Sequence, residues 1–123
     1  MALGPLAQIH ISVTDIDRSV AFYRDVLQIP LLFQVAGQPM AFFASGDVRL
    51  YLGVPEAEAF ASRCTLYFLV DDIDAEHARL VAAGVPRTGD PHIVHRDGDL
   101  QLWMAGFTDP DGHNLVLMQE RRA

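Results

Sequence analysis

The chain repeats itself. Sliding the sequence by 57 residues brings Gln8 onto Thr65, and the run from Gln8 to Asp17 (QIHISVTDID) then lies on the run from Thr65 to Asp74 (TLYFLVDDID). Val13, Asp15, Ile16 and Asp17 meet Val70, Asp72, Ile73 and Asp74. A period of that length means one supersecondary unit used twice, which narrows the fold more than composition can. Each copy opens with a β-rich run, closes it in an acidic turn and enters a helix. A carboxylate at Asp15 or Asp72 can accept from the free backbone N–H groups and suits the positive end of the helix dipole, so both read as N-caps.

In the first copy a helix is expected from about Ile16 to Leu27, since Ile16, Val20, Tyr23 and Leu27 recur at helical spacing. Strand-like runs follow at Leu31 to Val35, Met40 to Ala44 and Val48 to Gly53. They are separated by Ala36-Gly37-Gln38-Pro39 and Ser45-Gly46-Asp47, both suited to tight turns. In the second copy Asp72 caps a helix through about Ala83, and Gly84 sits where a left-handed cap is wanted. Strands are expected at His92 to His95, Leu100 to Phe107 and Asn114 to Gln119, with turns at Asp97-Gly98-Asp99 and Asp109-Pro110-Asp111-Gly112.

The order is βαβββ–βαβββ. Residues 1–123 are expected to form a single domain, with module one at about 6–53, a Pro- and Ala-rich connector at 54–63 and module two at about 64–120. The fold class is α+β: two tandem βαβββ modules forming a curved eight-stranded mixed sheet around a cavity, with the helices outside. A ligand would sit in that hollow, because concave pockets form where repeated units join.

The net charge of −7 argues against nucleic acid or an anionic membrane surface as partner, since phosphates need neutralising Lys and Arg. The lone Cys64 excludes an internal disulfide. No basic start leads into an apolar run, and no apolar stretch approaches about 18 residues, so a soluble cytoplasmic protein is expected.

Four motifs carry a family resemblance over nearly the whole chain. They are the run from Val13 to Leu27 (VTDIDRSVAFYRDVL), that from Val70 to Asp74 (VDDID), that from Ala82 to Val85 (AAGV) and that from Phe107 to Leu117 (FTDPDGHNLVL). The chain resembles the vicinal-oxygen-chelate (VOC) superfamily of glyoxalase I, bleomycin-resistance proteins and extradiol dioxygenases. One fold hosts many chemistries, so the resemblance speaks for architecture first. It also implies a homodimer, the cavity in short members often being completed by a second subunit.

Enzymes of the superfamily hold a divalent metal on inward-facing strand residues. By the resemblance, the positions here are Gln8, Leu50 (to within one residue), Thr65 and Val116. Leucine and valine have no donor atoms, a neutral threonine hydroxyl is a poor ligand, and one amide cannot hold zinc, nickel or iron. Strand alternation puts Gln8, His10 and Ser12 on one face, Thr65, Tyr67 and Leu69 on the matching face, and Asn114, Val116, Met118 and Glu120 together. A displaced metal set of Gln8, His10, His92 and Glu120 is therefore conceivable. His92 and His95, three apart, should face opposite ways, so that only one looks into the hollow.

No nucleophile arrangement is visible. Ser12 and Ser19 lack a base and orienting acid, Cys64 has no helix N-terminus to activate it, and there is no phosphate-cradling glycine loop. Arg18 and Arg24 read as surface ion-pair partners and His113 as a surface residue. Trp103, Phe107, Tyr51 and Tyr67 are either core or pocket wall.

The expected function is a small-molecule-binding protein that encloses a small, partly aromatic organic ligand, without a cofactor and without the usual metal site. Its expected lining is Gln8, His10, Tyr67, His92, Trp103 and Met118, and no catalytic residue is assigned. The alternative is an enzyme, a glyoxalase-like lyase, isomerase or dioxygenase using nickel, zinc, manganese or iron on the displaced set.

Overall fold

In the computed structural model, which describes residues 2–123, the chain divides between Arg63 and Cys64 into two compact units. The first contains β1 (Gln8–Ser12), α1 (Ile16–Ala21), β2 (Leu31–Gln34), β3 (Met40–Ser45) and β4 (Val48–Gly53). Its sheet order is β1-β4-β3-β2, with β1 parallel to β4 and the other pairs antiparallel. The parallel pair explains the order of elements. A parallel neighbour needs a long crossover, and α1 with the β2–β3 hairpin supplies it.

The second unit repeats the plan with β5 (Leu66–Leu69), α2 (Ile73–Ala82), β6 (Arg87–Asp97), β7 (Leu100–Thr108) and β8 (Asn114–Arg122). Its order is β5-β8-β7-β6, with β5 parallel to β8. The eight strands thus form two four-stranded mixed sheets, each with one helix on one face. No helix among the described residues is long and apolar enough to cross a membrane.

The acidic turns do what their position implies. Asp15 accepts from the Arg18 N–H at 3.1 Å and Asp72 from the Ala75 N–H at 3.1 Å. Gly84 takes φ +82° and its N–H reaches the Val81 carbonyl, closing α2 with the left-handed residue that only glycine adopts freely. The first helix departs from expectation. Its α geometry stops at Ala21, and a wider π turn over Phe22–Val26 completes it, with the Leu27 N–H bonding to the Phe22 carbonyl.

Each core lies between a helix and one face of its sheet. In the first unit Ile11, Val20, Tyr23, Ala41, Phe43, Leu50 and Leu52 are buried, and the rings of Tyr23 and Phe43 lie 6.0 Å apart. In the second, Ile73, Leu80, Ala105, Phe107, Leu115 and Leu117 play that part. Burying each large side chain stabilises by roughly 1.5–3 kcal/mol. Because successive strand residues alternate, this arrangement leaves the other face of each sheet to side chains that the core does not use.

Candidate ligand-binding site

On the open face of the first sheet, alternation presents Gln8 and His10 from β1, Arg49 and Tyr51 from β4, and Met40 and Phe42 from β3. Pairing sets these residues side by side: His10 opposes Tyr51, Tyr51 opposes Phe42, and Phe42 opposes Phe33 of β2. Four ring-bearing residues therefore form one row across all four strands. Their centroids are 4.5 Å apart for His10–Tyr51, 4.8 Å for Tyr51–Phe42 and 4.7 Å for Phe42–Phe33, the last two stacked at 17° and 28°. The Arg49 guanidinium lies 5.7 Å from the Phe42 ring centre.

At the His10–Tyr51 end of this row is a cleft of about 510 Å³. Gln8, His10, Met40 and Tyr51 form its floor, and the segments around Pro39 and Pro55 form its rim. The mix of apolar walls with a few polar groups is that of a site for an organic molecule. Gly53 lets Tyr51 lean along its own strand. A Cβ on Gly53 would stand 2.8 Å from both the Tyr51 hydroxyl and a ring carbon, so the phenol covers the place a side chain would fill.

His10 is anchored from behind by Ser62, from the segment leading out of the first unit. The Ser62 hydroxyl donates to the His10 carbonyl at 2.6 Å and lies 3.2 Å from His10 Nδ1. The Ser62 N–H bonds the Ser12 hydroxyl at 2.8 Å, and the Ser12 N–H bonds the Ser62 carbonyl at 3.1 Å. No spacing rule pointed to Ser62, because this contact joins residues 52 apart.

Of the six expected lining residues, Gln8 and His10 share this cleft. Tyr67, His92 and Met118 belong to the open face of the second sheet. There Leu69 pairs with Met118, Met118 with Met104 and Met104 with His92, and Tyr67 pairs with Val116. Trp103 is on the other face. It pairs with Gln119, whose side chain accepts from the Ile73 N–H at the start of α2. The Arg121 guanidinium covers its ring at 4.7 Å while bonding Asp74 of α2 at 2.7 Å. The expectation that Trp103 shares a cavity with Met118 is corrected: unbroken register along β7 and β8 puts Met104, not Trp103, beside Met118.

Two further corrections concern histidines. A register shift between Ile93 and His95 realigns His95 with Leu102, so His92 and His95 oppose residues of the same face rather than opposite ones. His113 is buried, at 2% exposure, rather than on the surface. Its N–H donates to the carboxylate of the equally buried Asp109 at 2.8 Å, and Asp109 also accepts from the Asp111 N–H at 2.9 Å. Burial and the nearby Asp109 charge push the Cys64 thiol up, consistent with an unactivated cysteine.

The family model of the glyoxalase/bleomycin resistance protein/dioxygenase superfamily matches residues 5–117. The chain belongs to this superfamily. It is 31% identical to the protein YraH of Bacillus subtilis (strain 168) over 127 residues, covering 90% of this chain and 94% of that protein. It is 32% identical to metallothiol transferase FosB of Staphylococcus epidermidis over 112 residues, covering 86% of this chain and 76% of FosB. Among solved structures it is similar to TnmS3, an antibiotic binding protein from Streptomyces sp. CB03234. That match has a TM-score of 0.77 and 26% identity, and covers 98% of this chain and 99% of TnmS3.

The superfamily's metal positions do not fit a divalent metal here. Gln8 offers one amide oxygen. Leu50 is buried on the helix side of its sheet, so the β4 neighbours of Gln8 on the open face are Arg49, a cation, and Tyr51, a stacked phenol. Thr65 and Val116 add a neutral hydroxyl and an alkyl group. The displaced set of Gln8, His10, His92 and Glu120 is divided between the two units, two residues in each. Among the described residues no three His, Cys, Asp or Glu side chains gather in a group that could hold a metal ion.

Proposed function

We propose that this chain is a binding member of the superfamily that holds a small, partly aromatic organic molecule in the cleft of its first sheet, without a metal. The observation that carries this reading is the ring row His10–Tyr51–Phe42–Phe33, on a face the core does not use, whose His10–Tyr51 end lines the cleft. Rings stacked face to face offer a ligand their edges and the outer face of the end ring, and each aromatic pair is worth about 0.5–1.5 kcal/mol beyond its area. The donor chemistry at Gln8, Arg49, Thr65 and Val116 favours binding over metal-assisted catalysis. The likeness to TnmS3, an antibiotic binding protein, supports the same reading. FosB is a metallothiol transferase, whereas the residues at this chain's own metal positions do not make a donor set for a divalent ion.

The protein works in the cytoplasm as a homodimer on this reading. Tyr67 and Leu69, 56% and 80% exposed on one strand, form the kind of apolar surface that a second copy would cover. Light scattering should then give twice the 13.6 kDa chain mass.

Chemical-shift mapping on isotope-labelled protein against a small library of aromatic compounds tests the binding site. Binders should move the signals of His10, Met40 and Tyr51 and raise the melting temperature together. Binders that leave those three signals unmoved would refute the assignment of the cleft.

A further inference from the structure

We infer that the ligand of this cleft donates a hydrogen bond to His10 Nε2, so that it is an aromatic molecule carrying an O–H or N–H group rather than a plain hydrocarbon ring. The inference rests on the cleft being the binding site and adds the polarity of what enters it.

A serine hydroxyl has one proton and two lone pairs. The Ser62 hydroxyl oxygen lies 2.6 Å from the His10 carbonyl oxygen and 3.2 Å from His10 Nδ1. A carbonyl oxygen can only accept, so the shorter contact takes the serine proton. The Ser62 oxygen then meets Nδ1 with a lone pair, and Nδ1 must carry the proton in that bond. The pair of bonds between Ser62 and Ser12 holds the serine in place, so this choice is built into the backbone.

A neutral imidazole protonated at Nδ1 has a bare acceptor at Nε2. In His10 that atom is buried and has no partner among the described residues. The neighbouring phenol does not serve it, because the Tyr51 hydroxyl lies over Gly53. A buried acceptor left unmet is a standing cost, and its partner is to be sought in what the site binds. Since Nε2 is covered in the free chain, engagement requires the side chains that cover it to move aside.

The experiment uses the intact wild-type chain, with phenol and toluene as a pair of equal shape. Long-range proton–nitrogen correlation on the free protein should show His10 protonated at Nδ1 with Nε2 bare. A proton on Nε2 would overturn the inference before any ligand is added. In titrations followed at the Tyr51 and Met40 signals, phenol should bind about tenfold more tightly than toluene, the worth of one hydrogen bond in a dry site. His10→Phe keeps a ring and should erase that preference. Equal binding of both at the cleft overturns the donor inference and leaves the cleft reading intact. No binding of either overturns both.

Discussion

His10 and Tyr51 are register partners on the parallel β1–β4 pair, and their rings lie 4.5 Å apart at an angle of 37°. Two strands that enter the sheet from opposite ends of the first module are thereby joined on its open face as well as through their ladder. The contact stands on Gly53, whose missing side chain leaves room for the phenol. Gly53→Ala should force the Tyr51 ring off the sheet and break its stack with Phe42. Such overpacking costs typically about 1–3 kcal/mol. Chemical denaturation should show that loss, and aromatic ligands should bind more weakly. Unchanged stability and unchanged Tyr51 ring shifts would mean that the phenol does not lie over Gly53.

Asp109 organises the turn before β8 by accepting from two backbone N–H groups while almost fully buried. Asp109→Ala leaves both donors without that acceptor and should destabilise by roughly 1–3 kcal/mol per group left unmet. Thermal unfolding checks this. A melting temperature equal to that of the parent would show that the turn holds itself through its backbone bonds alone.

The Cys64 thiol is held above its ordinary value first by burial and then by the Asp109 charge. The thiolate is the reactive form, so a raised value means slow alkylation at neutral pH. Iodoacetamide should label the folded chain more slowly than the denatured chain at neutral pH, with the folded rate still climbing well into the alkaline range. Asp109→Asn removes the negative charge and should move that pH profile downward. Faster labelling of the folded form at neutral pH would contradict the electrostatic account.

Added nickel, zinc, manganese or iron(II) should leave the melting temperature unchanged, because a ligand that binds only the folded state must raise it. A rise that Gln8→Ala abolishes would restore a metal site at the first-strand position.

Much of the fold was legible because its cues are local. Asp15 and Asp72 announce helix starts by residue type, Gly84 announces a helix end, and the 57-residue offset shows that what holds for one copy holds for the other. Faces of β1, β5 and β8 could be read by alternation, since no register shift interrupts them. The site was less legible because it depends on phase between strands. Trp103 faces α2 because β7 is set against β8 with Met104 beside Met118, and nothing within β7 announces that offset. A bulge in β6 turned His95 to the face of His92. Tyr51 was visible only as core or wall until pairing aligned it with His10 and Phe42. Ser62, in a connector with no periodicity, could be placed only by tracing the chain back to β1.

The central claim is that the cleft binds an aromatic molecule through its own side chains, with no metal taking part. Isothermal titration of one such ligand, first into metal-stripped protein and then into protein supplied with zinc or nickel, tests it most directly. The account expects the same affinity in both titrations and an affinity lost in Tyr51→Ala. Binding that appears only after metal is added, and that survives Tyr51→Ala, would contradict it.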